Sequence, residues 1–452
     1  MTAGTGGVQD DEFLSGLEAG LAAADARIAR LYPGDSGSRQ PVHTMYVPAT
    51  RFHSDLAPAW GATALEVLGD HGGGPAGLAA AFGVDDLPGL HDRVVRKLGD
   101  EPVEDMRIDF EDGYGEPGDA AEDAEALSAA HALATALDAG TAPPFVGLRC
   151  KSLDRATRRR GVRTVDLFLA ALLERADLPD GFVVTLPKVV AIEQVAAFVR
   201  VLQRLEEAHS LAEGRLRFEI QVETPQSVLS ADGRVALPRL VWAAEGRCVG
   251  LHFGTYDYSA ALGVAAAHQS LAHPVADSAK ALMQIAAAGT GVRLSDGSTN
   301  LLPVGDEAAV RAGWREHARL VRRSLERAFY QGWDLHPHQL PSRFVATFAF
   351  FRAGLPATAE RLRGYVERRA GGVLDEPATA QALAGFLLRG LACGALDEDE
   401  VTAATTLDPP ALEGLARRRR PHDHVDFAAR GGGKIDMIMG EGEGGSSPRA
   451  GA

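Results

Sequence analysis

Short apolar segments alternate with amphipathic helical patterns along most of this chain, and that alternation limits its fold more than any other feature. Eight of the segments are strand candidates, and nearly all of them end in polar residues. They lie at 43–48, 104–115, 144–150, 181–188, 216–223, 248–257, 291–294 and 333–337. Strands that alternate with helices form parallel sheets, which are either closed into a barrel or open and doubly wound.

The number of strands and the distribution of their polar ends favour the closed form. A barrel takes its functional residues from the carboxyl ends of several strands, whereas a doubly wound sheet concentrates them at one switch point. We therefore predict an α/β protein with a (β/α)8 TIM barrel over residues 41–370. An N-terminal helix within 1–40 precedes it, and a helical C-terminal extension at 371–430 and a disordered tail at 431–452 follow it.

Several local predictions accompany this architecture. Residues 216–223 and 248–257 are interpreted as apolar runs without alternation, which is typical of buried parallel strands. The Gly-rich stretch 72–75 is predicted to be a surface loop, and Asp119 is predicted to cap a helix. Pro356 is expected to separate two helices, since proline favours the first turn of a helix.

Composition excludes some classes of function. With a formal net charge of -15, the chain should repel nucleic acid, and no apolar run approaches the ~20 residues of a membrane helix. Two arginine clusters, at 155–163 and 417–420, are interpreted as solvated surface, with a phosphate-binding patch as the alternative. The polar start and the three widely spaced cysteines favour a cytoplasmic protein and exclude a zinc site built from cysteines.

Two carboxylates follow neighbouring predicted strands, and they are the first candidates for a functional site. Glu223 precedes Thr224-Pro225, and Asp257 follows a Gly-Thr-Tyr segment. Side chains at the exits of neighbouring parallel strands face one crevice, where hard oxygen ligands suit Mg²⁺ or Mn²⁺. From spacing alone, a helix cap at Glu223 and a turn at Asp257 explain the pattern equally well.

The strand ends, taken together, resemble the HpcH/HpaI aldolase and citrate lyase β-subunit family of the phosphoenolpyruvate/pyruvate barrel superfamily. The matching motifs, in chain order, are Val47-Pro48, Ile108 to Tyr114, Arg149-Cys150-Lys151, Pro187-Lys188, Glu223-Thr224, Gly254 to Gly263 and His336 to Gln339. Two departures indicate a divergent member. Lys151 replaces the family's asparagine, and Gln226-Ser227 replaces a glycine after the Glu-Thr motif.

The resemblance implies a role for each strand end. Glu223 and Asp257 would bind Mg²⁺ or Mn²⁺, and Arg149 would be catalytic beside the oxygen of an enolate. The predicted substrate-binding residues are Arg149, Lys188, Gly254, Thr255 and Tyr256. Glu111 and Asp112 would orient waters on the metal or hold Arg149.

Alternatives remain open for two of these residues. Arg149 could instead form an ion pair with Asp109 or Glu111. Lys188 could contact a substrate carboxylate, form a Schiff base, or pair with Glu223.

The implied function is that of a Mg²⁺-dependent carbon–carbon lyase or aldolase acting on a 2-oxo acid or a hydroxyacyl thioester. Two alternatives are a phosphoenolpyruvate-handling phosphotransferase and a non-catalytic binding or regulatory barrel. The expected partners are a small-molecule substrate, with coenzyme A left open, and further copies of the chain in a homo-oligomer.

Overall fold

Eight parallel strands form the centre of the molecule in the computed structural model, which describes residues 11–367 and 376–417. The strands are β1 (His43–Pro48), β2 (Asp105–Asp109), β3 (Phe145–Arg149), β4 (Phe182–Leu186), β5 (Arg217–Val222), β6 (Cys248–Phe253), β7 (Arg293–Ser295) and β8 (Gly332–Asp334). Their order in the sheet is β7-β6-β5-β4-β3-β2-β1-β8. Each strand lies beside its neighbour in the chain, and β8 returns to β1.

The two edge strands meet and close the sheet into a barrel. Ser295 forms a parallel bridge with Gln331, and the Asp296 N–H donates to the Gln331 carbonyl at 2.8 Å. The predicted (β/α)8 barrel is therefore confirmed, as are all eight strands. Closure places the carboxyl ends of all the strands at one mouth.

Helices surround the strands and extend beyond the last one. They are α1 (Asp11–Leu31), α2 (Leu56–His71), α3 (Gly74–Phe82), α4 (Leu90–Asp100), α5 (Asp119–Ala139), α6 (Arg158–Leu173), α7 (Ile192–Ala208), α8 (Pro225–Val228), α9 (Leu237–Ala243), α10 (Thr255–Ala261), α11 (Pro274–Ala287), α12 (Glu307–Glu326), α13 (Leu340–Val366), α14 (Pro377–Ala392), α15 (Glu398–Thr405) and α16 (Pro409–Ala416). Within the described residues, no helix is long and apolar enough to cross a membrane.

Three local predictions were wrong. Gly74 and Pro75 begin α3, so the predicted loop at 72–75 shortens to two residues. The cap of α5 is Gly118, and Asp119 is its first residue. Helix α13 runs without interruption through Pro356, because its buried phenylalanines pack into the core and offset the hydrogen bond that proline removes.

The interpretation of 216–223 as an apolar run was also wrong. Phe218, Ile220 and Val222 pack outward in the core beneath the helices, whereas the residues between them point into the barrel. The inward residue Glu219 accepts hydrogen bonds from Arg107 of β2 at 3.0 and 2.8 Å. The barrel interior is thus partly ionic, and strand polarity alternates.

The helices at the two ends of the chain differ in packing. Helices α14, α15 and α16 pack with α13 in one hydrophobic cluster that also includes β1 and α2 to α4. Helix α1, which was predicted, has no buried residue. The predicted disordered tail at 431–452 and part of the arginine cluster at 417–420 lie outside the described residues.

Candidate active site

The predicted site residues come from five strands and converge at the carboxyl mouth of the barrel. Asp109 and Arg149 end β2 and β3 and are direct partners in the sheet register. Glu223 follows β5, and Lys188 lies two residues beyond β4. Asp257 lies in the first turn of α10, just after β6. The barrel thus brings together residues that are far apart in sequence.

Glu223 is the buried centre of this arrangement. One carboxylate oxygen accepts the backbone N–H of Lys188 at 2.7 Å, and the other accepts the side-chain amide of Gln221. Its side chain has no exposed surface. Burial raises the pKa of Glu223 to about 8, against the opposing influence of the Lys188 charge.

Three carboxylates form a cluster that we call the acidic triad: Asp112, Glu223 and Asp257. Each offers one oxygen, and the three oxygens lie within 4.8 Å of one another. The side chains of Asp112 and Asp257 are about half exposed, so the triad faces the solvent at the mouth. Asp112 was predicted only to orient waters or hold Arg149, but it stands beside the two predicted ligands.

The ammonium group of Lys188 lies among these carboxylates. Its Nζ is 2.5 Å from Asp257, 2.9 Å from Asp112 and 3.4 Å from Glu223. Burial alone would lower the pKa of Lys188, but the surrounding carboxylates, Glu223 first, raise it above its usual range. A charged ammonium is a poor nucleophile, which disfavours the Schiff-base alternative. The ion pair with Glu223 is present.

Arg149 is buried and fixed on two sides. Its Nε and Nη2 each donate to Asp109 at 2.7 Å, and its guanidinium lies 4.9 Å from the centre of the Tyr46 ring. The remaining Nη1 is 3.2 Å from Glu111 and 3.9 Å from Asp112. Both of the predicted alternative ion pairs exist, and they hold the guanidinium beside the acidic triad.

Glu111 stands between the two cations. Its carboxylate contacts Arg149 and lies 3.8 Å from the Nζ of Lys188. Burial raises the pKa of Glu111 to about 7, although both cations oppose the rise. The role of Glu111 in holding Arg149 or orienting waters stays a prediction.

Lys151 braces the loop that carries Glu111 and Asp112. Its ammonium donates to the carbonyls of Phe110 and Gly115 at 2.8 and 3.0 Å and pairs with Glu122 of α5 at 2.9 Å. The loop is therefore fastened at both of its ends. Lys151 stands where the family that the strand-end motifs resemble has an asparagine.

The segment Gly254-Thr255-Tyr256 joins β6 to α10. A side chain at Gly254 would collide with the Cβ of Glu223, so glycine permits the close approach of these two strand ends. The hydroxyl of buried Thr255 donates to the Ser298 carbonyl at 3.2 Å, and the Tyr256 hydroxyl accepts the N–H of Asn300. Both hydroxyls form hydrogen bonds with the backbone of the loop that follows β7. Their contacts with a substrate stay predictions.

The model of a domain of unknown function, DUF6986, matches residues 21–420. The chain belongs to the DUF6986 family. The search of curated proteins returned no match.

Several solved structures are similar to this DUF6986 chain. Malate synthase from Haloferax volcanii is 16% identical, with a TM-score of 0.47, over 84% of this chain and 91% of that one. CitE from Mycobacterium tuberculosis, in complex with magnesium, acetoacetate and coenzyme A, is 17% identical, with a TM-score of 0.45, over 78% and 98%. An HpcH/HpaI aldolase/citrate lyase family protein from Burkholderia cenocepacia is 16% identical, with a TM-score of 0.37, over 76% and 99%.

The donor set of this DUF6986 chain fits a divalent cation. Three carboxylate oxygens, one of them buried, form the hard, anionic ligand set that Mg²⁺ and Mn²⁺ prefer. The two half-exposed aspartates can adjust to the short metal–oxygen distances. A metal assignment is therefore chemically consistent with the residues present.

Sequence reasoning missed three residues that organise the site. Gln221 joins Glu223 to Arg149, whose Nη1 donates to its side-chain oxygen at 3.3 Å. Tyr46 lies against Arg149, and Asp109 was considered only as an alternative partner. The sequence does contain a pattern that indicates Asp109 and Gln221. Polar residues stand at every second position of β2 and β5, which is typical of a strand face that points into the barrel.

Proposed function

We propose that this chain is a Mg²⁺- or Mn²⁺-dependent carbon–carbon lyase or aldolase that acts on a 2-oxo acid or a hydroxyacyl thioester. The observation that supports it best is the acidic triad at the barrel mouth, with the Arg149 guanidinium beside it. A bound divalent cation would act as a Lewis acid on a substrate carbonyl. Glu223 and Asp257 would hold it, and we add Asp112 as a third ligand.

The chain's own residues would position the substrate and stabilise developing charge. The Nη1 of Arg149 lies 3.9 Å from Asp112 of the triad, and Asp109 fixes the guanidinium before substrate arrives. A preorganised cation stabilises an oxyanion without reorganising during the reaction. Lys188 offers a second positive charge for a substrate carboxylate.

Exposed arginines support the thioester as one substrate class. Arg155, Arg158 and Arg159 lie on the loop after β3 and at the start of α6, and within the described residues none contacts a carboxylate. Arginine is well suited to bind phosphate groups such as those of coenzyme A. We expect replacing all three with serine to weaken binding of a coenzyme A thioester while leaving pyruvate binding unchanged.

Metal binding and enolisation together test the proposal. Mn²⁺ titration followed by electron paramagnetic resonance should show one tight site in the wild type, which Glu223→Gln and Asp257→Asn weaken. Glu316→Gln, which removes an exposed carboxylate of α12 paired with Arg319, is the matched control. Metal-dependent exchange of the pyruvate C3 protons for deuterium should accompany binding.

Three results would contradict the proposal. Equal Mn²⁺ affinity in the wild type and both ligand variants would refute the metal site. Tight binding without exchange of pyruvate, and without cleavage of any hydroxyacyl thioester, would support the non-catalytic alternative. Phosphate transfer from phosphoenolpyruvate would instead support the phosphotransferase.

A further inference from the structure

The ammonium group of Lys188 lies close to four carboxylates. Its Nζ touches all three members of the acidic triad and lies 3.8 Å from a fourth carboxylate, that of Glu111. Two other lysines, Lys97 and Lys280, each pair with carboxylates outside the acidic triad. The Lys188 ammonium therefore has the position and the ligand set of a bound cation.

The backbone directs the side chain of Lys188 into this position. Lys188 has a φ of 52°, in the left-handed region that residues with a side chain rarely adopt. Its N–H donates to Glu223 at 2.7 Å, so the same residue holds the buried ligand with its backbone and reaches the triad with its side chain. Unfavourable backbone conformations that persist are concentrated at functional sites.

Charge explains why an internal cation is useful here. Three carboxyl groups lie within 4.8 Å of one another, one of them is fully buried, and those that are ionised repel one another. In the metal-free protein, the ammonium offsets that repulsion. A divalent ion cannot occupy the same space, so its binding requires the ammonium to leave the triad.

We propose that Lys188 is an internal counter-ion of the metal site, which the metal ion displaces and which then binds the carboxylate of the substrate. The inference rests on the proposed function, because it needs a divalent ion at the triad. It gives the Lys188 side chain two successive contacts, first with the acidic triad and then with the substrate carboxylate. Metal binding would thereby release the ammonium for the substrate, so that the ion binds first.

The test compares two ligands whose affinities should change in opposite directions. Lys188→Met removes the charge and keeps the length of the side chain, and we expect it to bind Mn²⁺ at least tenfold more tightly than the wild type. Oxalate, a dianion that resembles a 2-oxo acid in its enolate form, should bind the Mn²⁺-loaded variant at least tenfold more weakly. Mn²⁺ is followed by electron paramagnetic resonance and oxalate by calorimetry.

Two further variants keep the test interpretable. Lys188→Asn also removes the charge, but asparagine adopts the left-handed conformation readily and preserves the backbone contact to Glu223. Lys97→Met, on α4, makes the same change of net charge away from the triad. The ammonium of Lys97 pairs with Glu101 and Glu104. We expect Lys188→Asn to behave as Lys188→Met does, and Lys97→Met to behave as the wild type does.

The possible failures are distinguishable. If the wild type binds Mn²⁺ and both Lys188 variants bind it equally or more weakly, the counter-ion is refuted and the metal site stands. If no protein binds Mn²⁺, the proposed function fails and the inference fails with it. If the Lys188 variants bind Mn²⁺ more tightly but bind oxalate as the wild type does, the contact between Lys188 and the substrate carboxylate is refuted.

Discussion

Binding of the metal should be linked to the loss of a proton from Glu223. Burial raises the pKa of this carboxyl to about 8, and a carboxylate must be deprotonated to bind a metal. One proton with that pKa lowers the apparent dissociation constant for Mn²⁺ about fiftyfold between pH 6 and pH 8. Calorimetry in buffers of different ionisation enthalpy should show about one proton released at pH 7.

Two variants distinguish Glu223 from Glu111, the other carboxyl with a raised pKa, as the source of the pH dependence of Mn²⁺ binding. Glu111→Gln removes the group with a pKa of about 7 and should leave most of the pH dependence in place, because burial is the main cause of the raised pKa of Glu223 and Glu111 is not one of the proposed ligands. Glu223→Gln should abolish it. A dissociation constant that changes less than about fivefold over this range, with no proton release, would refute the reasoning.

The same proton affects the stability of the metal-free protein. The folded chain keeps a proton on Glu223 up to about pH 8, whereas the unfolded chain loses it near 4.5. Stability from this group is therefore complete below pH 4.5 and falls as the pH rises to 8, by about 1.4 kcal/mol per pH unit. Urea unfolding of metal-free wild type and Glu223→Gln should show this difference in slope, and saturating Mn²⁺ should remove it.

Three other perturbations test the surroundings of the triad. Asp109→Asn removes the bidentate partner of the buried Arg149 and should lower the free energy of unfolding by about 3–5 kcal/mol, measured with urea; a change below about 1 kcal/mol would contradict the pairing. Lys151→Met releases the loop that carries Asp112 and should weaken Mn²⁺ binding by about tenfold or more, with faster amide exchange at 110–115. Unchanged amide exchange at 110–115 would refute the claim that Lys151 holds this loop in place. Borohydride with pyruvate should leave the mass of the chain unchanged, because Lys188 stays protonated; a trapped adduct at Lys188 would restore the Schiff-base mechanism.

The alternation of strands and helices was readable in the sequence because each unit is local. Apolar segments such as 144–150 and 181–188 are bounded by turn residues, and their helices have a clear amphipathic period. Pro356 was misleading, because its effect on α13 depends on how the surrounding phenylalanines pack. Packing against distant elements is not encoded in a local pattern.

The sequence by itself determined the number of strands, the barrel and the strand ends at which the candidate site residues stand. Only the tertiary structure decided that Asp112 joins Glu223 and Asp257, and that Lys188 lies among them. The contacts of Lys188 with the three carboxylates span 35 to 76 positions in the chain. They exist because barrel closure brings every strand end to one mouth, where burial and charge, rather than spacing, select the partners.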